Sequence, residues 1–326
     1  MNNLTFPILR LLADGRFHSG EAIARHFGVT RATIWNAMQE AEALGIEIFS
    51  VRGRGYRLPE PVTLLEHDAV LTAIGEQRAW FKLELHDHLE STNTYLMKKA
   101  STGEAHATCV AALLQTKGRG RRGRAWQAGL GASLTFSLLW RFQAGASALS
   151  GLSLAVGVAL MRAFHALGIS EAKLKWPNDI LYRQQKLAGI LIELQGDMEG
   201  PSAAVIGVGI NLQLPEHVRR HIDQAAIGLN AITGHQQNPS ELLGLLLKNL
   251  ADVLSEFETK GFDSLREEWV KDHAYHQQLV RMILPDGRET QGVVEGIAPD
   301  GILLVQTAAG VQRFSSGEIS LRGVGS

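Results

Sequence analysis

Residues 19–45 have the sequence SGEAIARHFGVTRATIWNAMQEAEALG, and this stretch decides the fold of the N-terminal part of the chain. Ser19 can cap a helix that ends at Gly28, because its hydroxyl accepts a hydrogen bond from a free N–H of the first turn. Thr30 can cap a second helix, whose apolar residues recur at helical spacing: Ile34, Ala37, Met38, Ala41 and Leu44. Two helices joined by a short glycine turn are typical of a helix-turn-helix motif.

Further elements surround this motif on both sides. Residues 6–12 predict a short preceding helix, and residues 46–51 and 56–58 predict two strands. The segment RGRG at 52–55 supplies glycines for a tight turn and places arginines at its tip. Pro59 and Pro61 cannot continue either strand or helix, so they indicate an exit linker. The sequence therefore predicts a winged helix-turn-helix domain over residues 1–62.

The outward side chains of this domain are suited to DNA. If the periodic apolar residues face inward, Arg31, Trp35 and Asn36 face outward. Arg and Asn side chains pair bidentately with guanine and adenine edges in the major groove. Arg52 and Arg54 at the hairpin tip can contact phosphates or the adjacent minor groove. A winged helix used only for protein contacts is the alternative, but arginines on both surfaces that touch a duplex favour DNA binding.

Composition bounds the remaining possibilities. The length of 326 residues suggests two domains, with three possible, and 45% hydrophobic residues indicate a globular chain. A net charge of −1 excludes a uniformly basic nucleic-acid binder but not a local basic patch. Cys109 is the single cysteine, which excludes an intramolecular disulfide and a cysteine-rich zinc site. No signal peptide or membrane span is recognisable, so we expect a cytoplasmic protein without a membrane partner.

The rest of the chain divides into a mixed region and a β-rich end. Over residues 65–272 we expect strands at 81–86, 108–114, 133–140, 186–194 and 203–212. In the same region we expect helices at 94–101, 152–167, 241–257 and 262–270. Over residues 276–326, short alternating runs at 279–284, 289–297, 301–307 and 311–315 predict a small β-barrel. The fold class is therefore α+β.

A basic loop at residues 117–124, KGRGRRGR, contains five positive charges and is called the Gly/Arg loop below. It matches the dinucleotide-binding glycine fingerprint literally, but no helix start follows it. It also has P-loop glycine spacing, but Arg124 and Ala125 stand where Lys and Ser or Thr are required. Glycines still let backbone N–H groups approach an anion, and arginines neutralise phosphate. The loop alone leaves phosphate binding, a solvated charge run and RNA contact open.

Four other clusters accompany the Gly/Arg loop. Residues 91–93, STN, lie between a predicted strand and helix, where they can hold a polar ligand or simply cap the helix. Residues 175–179, KWPND, join a charge, an aromatic ring, a rigid turn and a carboxylate. Residues 186–191, KLAGIL, begin an apolar strand with a lysine and a glycine. Residues 207–211, GVGIN, end another strand with glycines that permit close backbone approach.

In this order, the clusters closely resemble biotin protein ligases, and the preceding winged helix resembles the bifunctional form that also represses the biotin operon. The resemblance covers essentially the whole chain. It implies a central domain of the biotin/lipoate ligase type and a C-terminal Src-homology-3-like β-barrel. It also implies a two-step reaction, in which biotin and ATP give biotinyl-5′-AMP and an acceptor lysine then takes the biotin. ATP with Mg²⁺ is the implied co-substrate, since positive charge must offset the repulsion between carboxylate and triphosphate.

The resemblance implies a role for each motif residue. The residues expected to bind biotin or biotinyl-5′-AMP are Ser91, Thr92, Asn93, Gln115, Gly118, Arg119, Arg121, Trp126, Lys186, Gly189, Gly209 and Asn211. Among them Lys186, Arg119 and Arg121 are the expected catalytic residues, with Lys186 bridging carboxyl and phosphate oxygens as charge accumulates. Asn178 is expected beside adenine, and Asp179 is the expected residue linked to Mg²⁺.

Partners and alternatives complete the expectation. The resemblance implies the biotin carboxyl carrier protein of acetyl-CoA carboxylase as acceptor, operator DNA, and a homodimer promoted by biotinyl-5′-AMP. Trp126 is expected to pack against the closed adenylate, and Arg322 is expected to help ATP binding. One alternative is a lipoate-type ligase on the same fold, against which the STN and Gly/Arg signatures argue. Another is a ligand-sensing transcription factor without catalysis, which would not need Lys186 or an intact Gly/Arg loop.

Overall fold

The structure is a computed structural model that describes residues 2–127, 129–196, 199–220, 222, 224–284, 288–315 and 320–323. The N-terminal unit consists of α1 (Thr5–Leu12), α2 (Gly20–Phe27), α3 (Arg31–Ala43), β1 (Phe49–Val51) and β2 (Gly55–Arg57). Ser19 and Thr30 cap α2 and α3 through their side chains, as expected. Ile34 and Met38 are at most 1% exposed, so the predicted inner face of α3 is confirmed. The antiparallel β1–β2 hairpin is the wing.

The central unit is a seven-stranded sheet between helices. Its elements are α4 (His67–Ile74), β3 (Lys82–Leu89), α5 (Thr92–Ala100), β4 (Thr108–Gln115), β5 (Ser133–Phe142), α6 (Leu152–Ala166), β6 (Ala172–Lys175), β7 (Asp179–Tyr182), β8 (Gln185–Gly196), β9 (Ser202–Asn211), α7 (Glu216–Arg219), α8 (Leu229–Thr233), α9 (Pro239–Lys260) and α10 (Arg266–Lys271). The strand order is β3-β4-β5-β9-β8-β7-β6, with β3 and β4 parallel and the other pairs antiparallel.

The two faces of this sheet pack on different helices. Leu138 belongs to the large core that contains α6 and α9, whereas the next residue, Leu139, packs with Leu96 and Ala100 of α5. Successive strand residues point to opposite faces, so each strand serves both layers. Strand β9 lies in the middle of the sheet and is buried along its whole length. Residues 207–211, which are expected to contribute to ligand binding, therefore lie on a strand that is packed on both faces.

The C-terminal unit is a five-stranded antiparallel sheet formed by β10 (Leu279–Ile283), β11 (Glu289–Ile297), β12 (Leu303–Thr307), β13 (Gly310–Phe314) and β14 (Ser320–Gly323). The strand order is β13-β12-β11-β10-β14. Its buried residues join the central core rather than forming a separate one. Trp176, which is 1% exposed, donates its indole N–H to the carbonyl of Gly301 at 3.2 Å. The predicted small all-β C-terminal unit is confirmed.

The N-terminal unit contacts the sheet near the ends of β3 and β4. Arg10 of α1 pairs with Asp87, and the ring of Phe6 stacks on that of His88 with 6.4 Å between centroids. Leu114 of β4 is part of the N-terminal hydrophobic core. The N-terminal unit therefore touches the end of β3, which leads to residues 91–93, and the end of β4, which leads to Gln115.

Several predicted elements differ in detail. Helix α5 begins two residues before the predicted helix because Ser91 already caps it. The predicted helix at 262–270 is a short 3₁₀ turn, Phe262–Leu265, followed by α10. Helices α4, α7 and α8 and strands β6, β7 and β14 were not predicted; β6 and β7 have only four residues each, too few for a clear period. Among the described residues, no helix combines the length and apolarity needed to cross a bilayer.

Candidate active site

A pocket of about 460 Å³ lies on the sheet between the N-terminus of α5, the first part of β8, the last part of β9 and the Gly/Arg loop. Eleven of the predicted site residues line it: Ser91, Thr92, Asn93, Gln115, Arg119, Arg121, Trp126, Asn178, Lys186, Gly189 and Gly209. These residues come from strands and loops that are far apart in sequence, and the sheet order brings them to one surface. We call this cavity the central pocket.

One end of the central pocket is a buried polar network at the start of α5. Gln115, at the end of β4, accepts hydrogen bonds from the backbone N–H and the hydroxyl of Thr92 at 2.6 and 3.1 Å. Ser137 of β5 donates to Asn93 Oδ1 at 2.5 Å and lies 2.8 Å from Thr92 Oγ1. All of these side chains, and that of Ser91, are less than 10% exposed. Their mutual bonds fix the direction of each polar group that remains available to a ligand.

Sequence reasoning missed two members of this network, Ser137 and Glu193. Glu193 of β8 accepts from Asn93 Nδ2 at 3.0 Å and from both terminal nitrogens of Arg119 at 2.9 and 3.1 Å. Each is a polar residue inside a mostly apolar strand segment, LTFSLLW for Ser137 and GILIELQ for Glu193. A polar residue in such a run was the available signal, because buried polar groups require partners.

The Gly/Arg loop doubles back on itself. The N–H of Gly120 donates to the carbonyl of Arg124 at 2.7 Å, and the N–H of Trp126 donates to the carbonyl of Gly118 at 2.9 Å. A Cβ on Gly118 would lie 2.5 Å from the carbonyl oxygen of Trp126, so this close approach requires glycine. Gly118 does not line the central pocket; it shapes the turn that aims Trp126 toward it.

Trp126 lies on a floor of two glycines. A Cβ at Gly209 would be 2.4 Å from its indole carbon Cε2, and one at Gly189 would be 3.2 Å from Cζ3. The ammonium of Lys186 is 5.6 Å from the ring centroid. The indole N–H is buried, and no described residue accepts a hydrogen bond from it. The indole therefore occupies part of the central pocket instead of only covering it.

Lys186 stands at the start of β8 beside a carboxylate. Its Nζ is 2.7 Å from Asp179 Oδ1, and both side chains are less than 20% exposed. Its backbone N–H donates to the carbonyl of Ala225 at 2.8 Å, and Asn211 Nδ2 donates to its carbonyl at 3.1 Å. Asn211 does not line the central pocket. The hydrogen bond from Asn211 to the carbonyl of Lys186 indicates that Asn211 fixes the backbone from which Lys186 projects.

Arg121 and Asn178 form the opposite side of the pocket. Arg121 Nη1 donates to Asn178 Oδ1 at 3.0 Å, and Asn178 Nδ2 donates to the carbonyl of Ile190 at 2.7 Å. Burial lowers the pKa of Arg121, and the nearby charge of Arg122 lowers it further while Asp179 opposes the shift. A partly desolvated guanidinium interacts more strongly with an anion than a solvated one does.

The metal expectation rests on one carboxylate. No group of three His, Cys, Asp or Glu residues in the described part of the chain is arranged to hold a metal ion. Asp179 is paired with Lys186. Mg²⁺ that enters with a nucleotide is commonly held by one or two carboxylates together with phosphate oxygens, so a single Asp179 suits such an ion. Arg322 lies in β14 opposite Arg281; its side chain is outside the described part.

The residues expected to contact DNA are all exposed: Arg31, Trp35, Asn36, Arg52 and Arg54. The side chain of Trp35 is 55% exposed on the outer face of α3. Arg54 lies over the ring of Phe17 with its guanidinium carbon 4.2 Å from the centroid. The helix and the wing thus present these cations and the ring of Trp35 on the unit's surface, where sequence reasoning expected them.

Comparison with protein families assigns all three units. The HTH domain family matches residues 5–57, the biotin/lipoate A/B protein ligase family matches residues 85–211, and the biotin protein ligase C terminal domain matches residues 278–322.

Known proteins resemble the chain over nearly its full length. The bifunctional ligase/repressor BirA of Escherichia coli is 34% identical over 98% of this chain and 98% of that protein. The protein of the same name from Salmonella typhimurium is 35% identical over 99% of both chains. A solved structure of biotin protein ligase from Aquifex aeolicus in complex with biotin and ATP has a TM-score of 0.64 and 28% identity, covering 74% of this chain and 99% of that one.

Proposed function

This chain belongs to the family of bifunctional biotin protein ligases and repressors, and on that premise we propose how its central pocket performs ligation. The protein is a biotin ligase that carries a helix-turn-helix repressor unit. The observation that carries the proposed site is the convergence of Lys186, Arg119 and Arg121 on one glycine-floored pocket. A carboxylate and a polyphosphate can react there only if nearby cations offset their repulsion.

In the first step, a carboxylate oxygen of biotin forms a bond to the α-phosphorus of ATP. The bond from that phosphorus to the bridging oxygen breaks, and pyrophosphate leaves with the electron pair. The product is biotinyl-5′-AMP, a mixed anhydride. Negative charge accumulates on the phosphoryl oxygens during this step, so the residues that matter most are fixed cations near the reacting atoms.

Biotin's ring system has urea-like polar groups that require directed partners. We propose that Ser91, Thr92, Asn93 and Gln115 supply them, because these side chains are buried and already oriented by hydrogen bonds. A preorganised polar site loses little orientational freedom when the ligand binds. Ser137 supports this site by bonding to Asn93 from behind.

The three cations of the central pocket are proposed to contact the reacting carboxylate and phosphate. Lys186 is proposed to bridge the carboxylate and the α-phosphate, and its side chain is only 17% exposed, so solvent screens it weakly. Arg119 and Arg121 are proposed to contact the carboxylate and phosphate from the Gly/Arg loop. Asn178, bonded to Arg121, is proposed to lie beside adenine. Gly189 and Gly209 leave the floor open to a ligand where a Cβ would project into the pocket.

Trp126 must move for a ligand to use the whole pocket. Its indole now lies against Gly209, where a Cβ would be 2.4 Å away. We propose that the ligand displaces the indole and that Trp126 then packs against the adenylate.

Asp179 is proposed to hold Mg²⁺ together with phosphate oxygens, and the ion would supply positive charge to the departing pyrophosphate.

In the second step, the neutral amine of an acceptor lysine attacks the carbonyl carbon of the anhydride. An amide bond forms, AMP leaves, and the ammonium loses a proton. We propose the biotin carboxyl carrier protein of acetyl-CoA carboxylase as the acceptor, since one relative, from Paracoccus denitrificans, is named biotin–[acetyl-CoA-carboxylase] ligase. A lipoate-type ligase and a sensor without catalysis are not favoured, because the full-length relatives are ligase/repressors.

For regulation, we propose that the biotinyl-5′-AMP-bound protein forms a homodimer and binds operator DNA through α3 and the wing. A dimer presents two recognition helices to two half-sites, which raises affinity beyond that of one helix. The exposed Arg31, Trp35, Asn36, Arg52 and Arg54 support this surface. A cytoplasmic location fits a protein that needs both ATP and DNA.

The ligase proposal is tested with purified protein, ATP, Mg²⁺, biotin and a carrier domain, followed by mass measurement of the carrier. We expect a mass gain equal to one biotinyl group, dependent on ATP. The absence of a gain with active carrier would contradict the proposed reaction. For DNA, a gel shift should require biotin and ATP and disappear when residues 1–62 are removed, and binding by the shortened protein would exclude the winged helix as the reader.

A further inference from the structure

Glu193 occupies a position on β8 that joins the polar end of the central pocket to the Gly/Arg loop. Its carboxylate accepts two parallel hydrogen bonds from Arg119, at 2.9 Å from Nη2 and 3.1 Å from Nη1. The same carboxylate accepts from Asn93 Nδ2 at 3.0 Å. Thr94 Oγ1 accepts a further bond from Arg119 at 3.3 Å. One carboxylate thus contacts a proposed biotin-binding amide and a proposed catalytic guanidinium.

The strand geometry explains why Glu193 can reach both. Gly189, Leu191 and Glu193 are alternate residues of β8 and therefore share one face of the sheet. Gly189 and Leu191 line the central pocket, while Glu193 comes next along the same face and does not line it. Glu193 stands just beyond the pocket, where a residue can hold the lining groups without contacting the ligand.

The bidentate pairing restricts Arg119 strongly. A guanidinium that makes two parallel bonds to a carboxylate has a fixed plane as well as a fixed position. Arg119 belongs to the Gly/Arg loop, and its side chain is 47% exposed. Without Glu193, this arginine would sample many rotamers in solvent. The bond from Asn93 to Glu193 acts with those to the carbonyl of Leu191 and from Ser137 to fix the plane of the amide.

We propose that Glu193 is a positioning residue for ligation: it fastens the Gly/Arg loop to the sheet through Arg119 and fixes Asn93, so that both side chains are held in place for the reaction. This inference rests on the proposed function of the central pocket. It adds to the site a carboxylate that holds other residues and does not touch substrate.

The proposal distinguishes between two substitutions. Glu193→Gln keeps an oxygen that can accept from Asn93 but removes the charge that holds Arg119. Glu193→Ala removes both contacts. We expect the Michaelis constant for biotin and the rate of biotinyl-5′-AMP release to rise roughly fivefold in Glu193→Gln, as loss of one partly exposed ion pair implies. We expect a larger rise in Glu193→Ala and a smaller change in kcat for adenylate formation in both variants.

The chain offers a matched control. Glu171 pairs bidentately with Arg183 at 2.9 Å on each side, in the same unit and away from the central pocket. Glu171→Gln removes the same kind of ion pair by the same substitution. This control should leave the Michaelis constant for biotin and the rate of biotinyl-5′-AMP release within about twofold of their values in the unsubstituted protein, which is the range of minor surface effects.

A second measurement reads the loop without using catalysis. The Gly/Arg loop contains five trypsin sites, so its cleavage rate reports how firmly it is held. Without ligand, Glu193→Gln should be cut in the loop roughly fivefold faster than the unsubstituted protein and Glu171→Gln. The rate is taken relative to cleavage at other sites, so a general loss of stability does not imitate the effect.

These outcomes separate the inference from the proposed function. If the unsubstituted protein makes no biotinyl-5′-AMP, the proposed function fails, while the trypsin rates still report on the contact between Glu193 and Arg119. If the unsubstituted protein is active but Glu193→Gln matches Glu171→Gln in both loop cleavage and biotin constant, the positioning role of Glu193 is wrong.

Discussion

Replacement of Lys186 by Ala tests the proposed chemistry most directly. The ammonium lies 2.7 Å from Asp179 and is 17% exposed, so it acts in surroundings that screen charge less than water does. At an effective dielectric constant of about 20, two unit charges about 4 Å apart interact by about 4 kcal/mol. Loss of one charge-stabilising donor from an active site typically costs about 2.7–4 kcal/mol. We therefore expect adenylate formation to slow about 10²–10³-fold.

The fold should survive this substitution. The hydrogen bonds that Lys186 makes with Ala225, Ile227 and Asn211 use its backbone, which alanine retains. The assay is pyrophosphate release with saturating biotin and ATP, combined with the thermal midpoint of unfolding. Lys173→Ala is the control, because Lys173 is also a strand lysine that pairs with a carboxylate, at 3.1 Å, outside the central pocket. Adenylate formation within about threefold of the control would refute the role of Lys186, since it leaves less than 1 kcal/mol to the ammonium.

Three further predictions concern the glycine floor of the central pocket, the pairing of Glu104 with two lysines, and the buried Cys109. In Gly209→Ala the new Cβ would project into the floor of the pocket, 2.4 Å from the present position of the Trp126 indole and inside the space proposed for the ligand. Steady-state kcat/KM for biotin should therefore fall about 10²-fold, and an unchanged value would show that the floor is not in the site. Hydrogen bonds from Lys82 and Lys99 lower the pKa of Glu104 to about 2 from 4.5. Because the folded pKa is the lower one, Glu104 stabilises the fold above its unfolded pKa and loses that effect as pH falls. The midpoint of thermal unfolding of the unsubstituted protein should therefore exceed that of Glu104→Gln near neutral pH, and this difference should vanish between about pH 5 and pH 2. A difference that stays constant over this range would contradict the pairing. Burial raises the pKa of Cys109, which is 0% exposed, so a thiol reagent should label it only after unfolding; rapid labelling of native protein would disprove its burial.

Local signals in the sequence were sufficient for much of the fold. Ser19 and Thr30 cap their helices as expected, since an N-cap depends on a few neighbouring residues. The inner face of α3 followed from the helical period, as the burial of Ile34 and Met38 confirms. The order of the strands in the sheet had no comparable local signal. Adjacent strands such as β5 and β9 are separated by some sixty residues, and pairing over such distances depends on the whole core.

The same division applies to the candidate site. Motifs indicated which loops and strands carry ligand-binding groups, and the sheet brings eleven of those residues into one pocket. Contacts between motifs could not be predicted, because they depend on strand order and side-chain direction. Ser137 behind Asn93 and Glu193 beside Arg119 are such contacts. The place of Trp126 on the glycine floor is another, since the sequence does not state whether an aromatic ring covers a pocket or enters it.

The protein has a net charge of −1 although its pocket is lined by cations, and carboxylates that pair with these cations account for part of the balance. Lys117 pairs with Glu90, Lys186 with Asp179, and Arg119 with Glu193. A partly buried cation without a partner is costly, so a site that must present several cations to an anionic ligand also needs carboxylates that hold them before the ligand arrives. Residues that neutralise the cations in the free protein also set their positions for the bound state. The acidic residues near such a pocket are therefore as informative about its function as the basic residues that identify it.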